Sequence, residues 1–64
     1  MIDKALDLLE ELNLIVGLSV TITVYSGQFF LIKHMRNWKE QTIECDSQDQ
    51  LIAELIKLKE ANEN

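Results

Sequence analysis

Val20, Ile22 and Val24 alternate with Ser19, Thr21, Thr23 and Tyr25 in an unbroken run. Period two sends successive side chains to opposite faces, whereas a helix would scatter the same residues around a cylinder. The residues are β-branched or aromatic, the types that fit a pleated and half-buried surface. Ser26 and Gly27 break the run, and Phe29, Phe30, Leu31 and Ile32 resume it. A strand, a short glycine-containing break and a second strand make a β-hairpin, and the rest of the chain reads as packing for it.

The hairpin has two readings. A two-residue loop at Ser26 and Gly27 puts Val20, Ile22 and Val24 on the face of Phe29, Leu31 and Lys33. A three-residue loop with Gly27 left-handed puts them with Phe30, Ile32 and His34 instead. A slip of one residue exchanges the two faces of the second strand. Either way one large aromatic is left on a second face beside Thr21 and Thr23. That face is too apolar for plain solvent surface and is a candidate for self-association or partner binding.

On the N-terminal side, Ile2, Ala5, Leu6, Leu9 and Leu12 recur at helical spacing, which predicts a helix over residues 3–13. Leu8 falls off this stripe, Asp3 suits the N-terminal end and Asn13 the C-terminal end. Leu14, Ile15 and Val16 are consecutive apolar residues, which predicts a segment covered from both sides, and Gly17 marks a bend into the first strand. After a connection over residues 35–37, residues 38–45 read as a third, more polar strand. Trp38, Glu40, Thr42 and Glu44 share one face of it, and Lys39, Gln41, Ile43 and Cys45 the other. Its charges suit a sheet edge. Ser47 and Gln50 match a capping box at the start of a last helix, with Asp49 in its first turn. Leu51, Ile52, Leu55, Ile56 and Leu58 form its apolar face, and residues 60–64 are expected to fray.

Sixty-four residues allow one domain. A chain this short buries only about 60% of its unfolded surface, so its core needs help from a disulfide, a metal or a second subunit. One cysteine excludes an internal disulfide, and one histidine with one cysteine makes a metal cage untenable. Oligomerisation is the aid that is left. No cofactor or metal is expected. The formal charge of −5 argues against direct nucleic-acid binding. No secretory signal is expected, because the start is acidic and helical rather than basic and then apolar, so the expected location is the cytoplasm.

Residues 12–32 carry no charge, about the length of a membrane span, with acids before and bases after. The hydroxyls and amides within it, and the strict alternation, suit a strand better than a lipid-facing helix. A small membrane-inserted protein is therefore a third reading only.

His34 and Cys45 are the sole pair that could serve nucleophilic catalysis, which also needs an oriented base and an oxyanion pocket. Nothing marks either, and the expectation is no enzyme. The simpler readings are a rim strand residue for His34 and a small apolar residue before a helix cap for Cys45. Trp38 lies among Lys33, Arg36 and Lys39, a thin version of a base-stacking pattern. A cation–π pair or a half-buried tryptophan closing the sheet explains it more simply. Trp38 and Tyr25 are also types that anchor protein interfaces. From residue 40 to 54 every charge is acidic: Glu40, Glu44, Asp46, Asp49 and Glu54. Such a run can compete for the basic groove of a nucleic-acid-binding protein, though most acidic runs are solvated faces.

In size, acidity and the strand–strand–helix half over residues 20–58, the chain resembles the short accessory proteins of bacteriophages and prophages, including anti-CRISPR proteins. That resemblance implies a small domain that binds and blocks one host protein. Residues 42–55, from Thr42 through Cys45 and Ser47 to Leu55, are similar to the strand-to-helix step of HicB-type antitoxins, without the proline-rich signature of that group.

The expectation is one α+β domain over residues 1–64, ordered α-β-β-β-α. It is a three-stranded antiparallel meander with both helices on one face, and it forms a homodimer. Its function is that of a non-enzymatic interaction module, a phage-type inhibitor of a larger host protein, for which a nucleic-acid-binding protein is one candidate. An antitoxin-like or regulatory partner module is the alternative. The candidate partner contacts are Glu40, Glu44, Asp46, Asp49, Trp38, Tyr25 and Phe30.

Overall fold

A computed structural model describes residues 2–26 and 29–62. Helix α1 (Ile2–Asn13) leads through a turn to strand β1 (Leu18–Tyr25). Strands β2 (Phe29–Arg36) and β3 (Lys39–Cys45) follow, then helix α2 (Gln48–Asn62). The sheet is an antiparallel meander in the order β1-β2-β3. The expected α+β order is the observed one.

Register settles which residues form the core. Val20 lies opposite His34, Ile22 opposite Ile32, Val24 opposite Phe30 and Tyr25 opposite Phe29, so three residues separate the strands. The longer loop therefore holds; the left-handed conformation expected at Gly27 falls outside the described residues. On the β3 side, Phe30 pairs with Cys45 and Ile32 with Ile43. Leu18, Val20, Phe30, Ile32 and Cys45 thus point to one face. There they are buried against Ala5, Leu8 and Leu12 of α1 and Leu51 and Leu55 of α2. Both helices cover this inner face. Each fully buried aliphatic or aromatic side chain contributes about 1.5–3 kcal/mol. Phe30, read above as a candidate partner contact, is only 2% exposed and cannot reach a partner; the three-residue loop turned it inward and turned Phe29 out.

Four local expectations are corrected. In α1 the buried stripe is Ala5, Leu8 and Leu12, with Leu9 beside it, while Leu6 is half exposed. Two overlapping sets of residues obey the same helical spacing, and the sheet selects the one centred on Leu8. In the turn after α1, Leu14 and Val16 are exposed rather than covered. Hydrogen bonds from the Leu14 N–H to the Glu11 carbonyl, from Ile15 to Leu12 and from Leu18 to Ile15 wind this segment tightly. Only Ile15 is turned onto the core. Gly17 supplies the bend with φ of 84°. Next, β2 runs on to Arg36, which pairs with Lys39. Asn37 and Trp38, with φ of 54° and 69°, are then the two central residues of a type I′ turn, and Trp38 belongs to no strand. Finally, α2 continues through residues 60–62 instead of fraying: Arg36 Nη1 donates to Asn62 Oδ1, and Asn62 Nδ2 donates to the Leu58 carbonyl at 2.8 Å. Residues 63 and 64 lie outside the described residues.

Two side-chain amides finish the outer strands. Asn13 Nδ2 donates to the carbonyls of Leu9 (3.0 Å) and Val20 (3.1 Å), and Asn13 Oδ1 accepts the Val20 N–H at 3.0 Å. The Asn13 amide thus pairs with the β1 edge as a neighbouring strand would. At the other edge, Gln50 Oε1 accepts the Asp46 N–H (2.9 Å), and Gln50 Nε2 donates to the Glu44 carbonyl (3.3 Å). Ser47 Oγ accepts the Gln50 N–H at 3.1 Å, so half of the capping box is as expected. Its return bond lands one residue early, on Asp46.

Residues 12–32 comprise the end of α1, the turn, β1 and the start of β2, which is no membrane-spanning helix. Among the described residues no helix is long and apolar enough to cross a membrane.

Candidate interaction surface

The outer face of the sheet carries the side chains that alternate with the core. Across the strands they form four rows fixed by register: Tyr25 with Phe29; Thr23, Leu31 and Glu44; Thr21, Lys33 and Thr42; and Ser19, Met35 and Glu40. Neither helix contributes to this face, since both pack on the other. The rows grade from aromatic to polar. At one end the Tyr25 and Phe29 rings meet with centroids 5.4 Å apart at 59°, a tilted contact. In the middle, Lys33 Nζ lies 3.5 Å from Glu40 Oε2, both half exposed. A surface pair of this kind contributes little to stability. At the far end Met35 borders a shallow hollow of about 410 Å³ shared with Gly17, Leu18, Ser19, Asn37 and Trp38.

Trp38 is 93% exposed, so it neither closes the sheet nor is half buried. It stands where a type I′ turn favours glycine, because a Cβ clashes at positive φ. A bulky residue there is strained, and strain of this kind concentrates at functional positions. Val16, 94% exposed on the turn before β1, and Leu14 add further uncovered apolar surface there.

No protein-family model matches the chain, and no curated protein or solved structure matches it.

The acidic residues divide. Glu40 and Glu44 lie on the outer face of β3, and Glu40 shares its charge with Lys33. Asp46 and Asp49 lie where β3 passes into α2, both exposed. Among the described residues Glu44, Asp46 and Asp49 enter no ion pair. The cap of α2 is Ser47, which leaves the Asp46 and Asp49 carboxylates facing solvent.

His34 and Cys45 do not meet. Cys45 faces Phe30, four residues along β2 from His34, which is about 13 Å of strand. Burial pushes the Cys45 thiol above its ordinary value of 9.0, and the nearby carboxylates of Glu54 and Asp46 push it further. Both effects disfavour the nucleophilic thiolate. His34 instead lines an open hollow of about 450 Å³ with Leu18, Arg36, Lys39 and the C-terminal end of α2. Cations at a helix C-terminus are favourable, which gives Arg36 and Lys39 a structural task there.

Register therefore brings together Tyr25 with Phe29, and Glu40 with Met35 and Lys33. It leaves Trp38 at the far end and removes Phe30. Phe29, Leu31 and Met35 are outer-face residues outside the candidate set, and the three-residue loop is the signal that places them there.

Proposed function

We propose that the protein is a non-enzymatic interaction module of the cytoplasm that binds a larger protein through the outer face of its sheet and the Trp38 turn. The observation that carries this reading is Trp38 itself: an almost fully exposed tryptophan at φ of 69°. Exposure returns nothing for the strain within the folded chain. Tryptophan is enriched among the residues that dominate binding energy, and a partner that covers it supplies the missing return. Leu31, Met35 and the Tyr25–Phe29 pair extend the apolar contact. The carboxylates of Glu44, Asp46 and Asp49 favour a basic partner surface, such as the groove of a nucleic-acid-binding protein, and occupying that groove inhibits it. The resemblance to phage accessory proteins agrees with an inhibitor of this kind.

The test is affinity capture from a bacterial lysate, followed by binding kinetics with the captured partner. Trp38→Gly should weaken binding at least about tenfold, chiefly through faster dissociation. Glu40→Gln with Glu44→Gln should slow association at low salt and lose that effect at high salt, because steering is screened. Unchanged kinetics for Trp38→Gly with a retained fold would remove the Trp38 turn from the interface.

A further inference from the structure

We infer that the open half of the β1 edge pairs with the same strand of a second copy, joining two sheets into one of six strands. Both backbone groups of Val20 point away from β2, since the Asn13 amide takes them. By the alternation of an antiparallel ladder, the N–H and C=O of Ile22 and Val24 point the same way. Among the described residues nothing caps them. The strand around them has none of the usual protections of an edge, neither charge, proline nor bulge. The other edge, β3, is guarded by Glu40 and Glu44 and closed at one end by Gln50.

The side chains agree with the backbone. Beside the open stretch, Leu6, Leu9, Ile22 and Val24 line an apolar groove of about 120 Å³. Leu6 is 50% exposed and Val24 63% exposed. An antiparallel two-fold centred on Thr23 sets Ile22 opposite Val24 of the second copy, and Val24 opposite its Ile22. Both are then hydrogen-bonded pairs, giving four backbone hydrogen bonds. Thr23 faces its own copy on the axis, a favourable cross-strand pair. The next residue outward, Val20, is already taken by Asn13, so the seam has a defined length.

Charge along this strand does not oppose a second copy, and symmetry favours it. Residues 12–32 hold no charged side chain in a chain of net charge −5. Along this strand two copies meet with no like charges on the paired residues. Pairing β1 with β3 of another copy would leave edges free and grow an open array, whereas β1 with β1 closes. The seam is small, at or below about 1,200 Å² in total, and so belongs with weak, micromolar association. It leaves the outer face and the Trp38 turn uncovered, so it stands independently of the partner reading.

The experiment is sedimentation of the full chain from micromolar to millimolar concentration, alongside amide exchange measured by NMR. The expected mass rises from 7.4 kDa towards twice that value. The Ile22 and Val24 amides should slow with rising concentration, while those of Glu40 and Thr42, on the β3 edge, keep a constant rate. Val24→Lys, at an exposed position, should hold the mass at 7.4 kDa throughout. A wild type that stays monomeric overturns the inference. So does a dimer whose Ile22 and Val24 amides exchange at the monomer rate, or a Val24→Lys chain, folded by circular dichroism, that still dimerises. If those amides slow only on adding another protein, the strand belongs to that protein and the second copy is excluded.

Discussion

Asn13→Ala is the substitution whose cost surface exposure most understates. The residue is exposed, and exposed substitutions usually change stability by less than about 0.5 kcal/mol. Yet its amide makes three hydrogen bonds of 3.0–3.1 Å, tying the end of α1 to the β1 edge. At about 0.5–1.5 kcal/mol each, the three sum to about 1.5–4.5 kcal/mol. Water can reach part of the site and replace some of them, which places the expected loss in the lower part, about 1.5–3 kcal/mol. That is a large fraction of the stability of a small domain, which lies near the low end of about 5–15 kcal/mol. Urea unfolding followed by far-ultraviolet circular dichroism reads it. With a slope of about 1 kcal/mol/M the midpoint should fall by about 1.5–3 M, with the slope unchanged. Asn13→Asp should be worse still at neutral pH. A carboxylate cannot donate to the two carbonyls, and it adds negative charge at the negative end of a helix. Both variants must be compared with wild type at one low protein concentration, since association shifts apparent stability. A loss for Asn13→Ala under about 0.5 kcal/mol, or an Asp variant more stable than the Ala variant, would refute the reasoning.

Ile32→Ala should cost about 2–5 kcal/mol, because Ile32 is wholly buried between the helices, whereas Ile22→Ala, half buried at the β1 edge, should cost less; a reversed order of urea midpoints would contradict the register. Trp38→Gly should stabilise the fold by about 0.5–1 kcal/mol by relieving the left-handed backbone, and a lower melting temperature would show that Trp38 contributes to the fold after all. Cys45 should resist thiol reagents until the chain unfolds, and labelling at the rate of a free thiol under native conditions would argue against its burial. Because its folded-state pKa lies above the unfolded one, its contribution is fully present below the ordinary value of 9.0 and is lost as pH rises through the folded value; stability that is flat or rising across that alkaline window would contradict the shift.

How legible the fold was can be argued from single residues. The alternation over Val20, Ile22 and Val24 fixed a strand because period two has one structural meaning. The following register was ambiguous because Phe29 and Phe30 are interchangeable in composition, and only pairing with Cys45 and the helices decides between them. The same holds for Leu6 and Leu8, which satisfy equivalent helical spacings. Leu14 and Val16 are exposed although consecutive apolar residues suggest burial, because that signal holds only in a regular element, and here the backbone turns. The amide bonds of Asn13 and Gln50 were hidden for another reason. Asn13 meets Val20 seven residues away and Gln50 meets Glu44 six residues away, distances at which sequence pattern carries no contact information. Of the candidate surface, Tyr25, Trp38 and the acids were legible as residue types, and their separation into an aromatic end, a polar middle and a strained turn was not.

The placement of Trp38 also governs how the protein looks spectroscopically. It is the sole tryptophan, and it is already in water in the folded state. Its emission should therefore scarcely change when the chain unfolds, and a fluorescence melt would report an apparently featureless protein while circular dichroism shows a cooperative transition. A self-pairing at β1 would be equally invisible to it, because that seam lies along a strand edge remote from the turn. A ligand that covers the turn would shift the emission to the blue. The chain thus carries a built-in optical probe that is blind to folding and to self-association and responds to one event, the arrival of a partner at the β2–β3 turn.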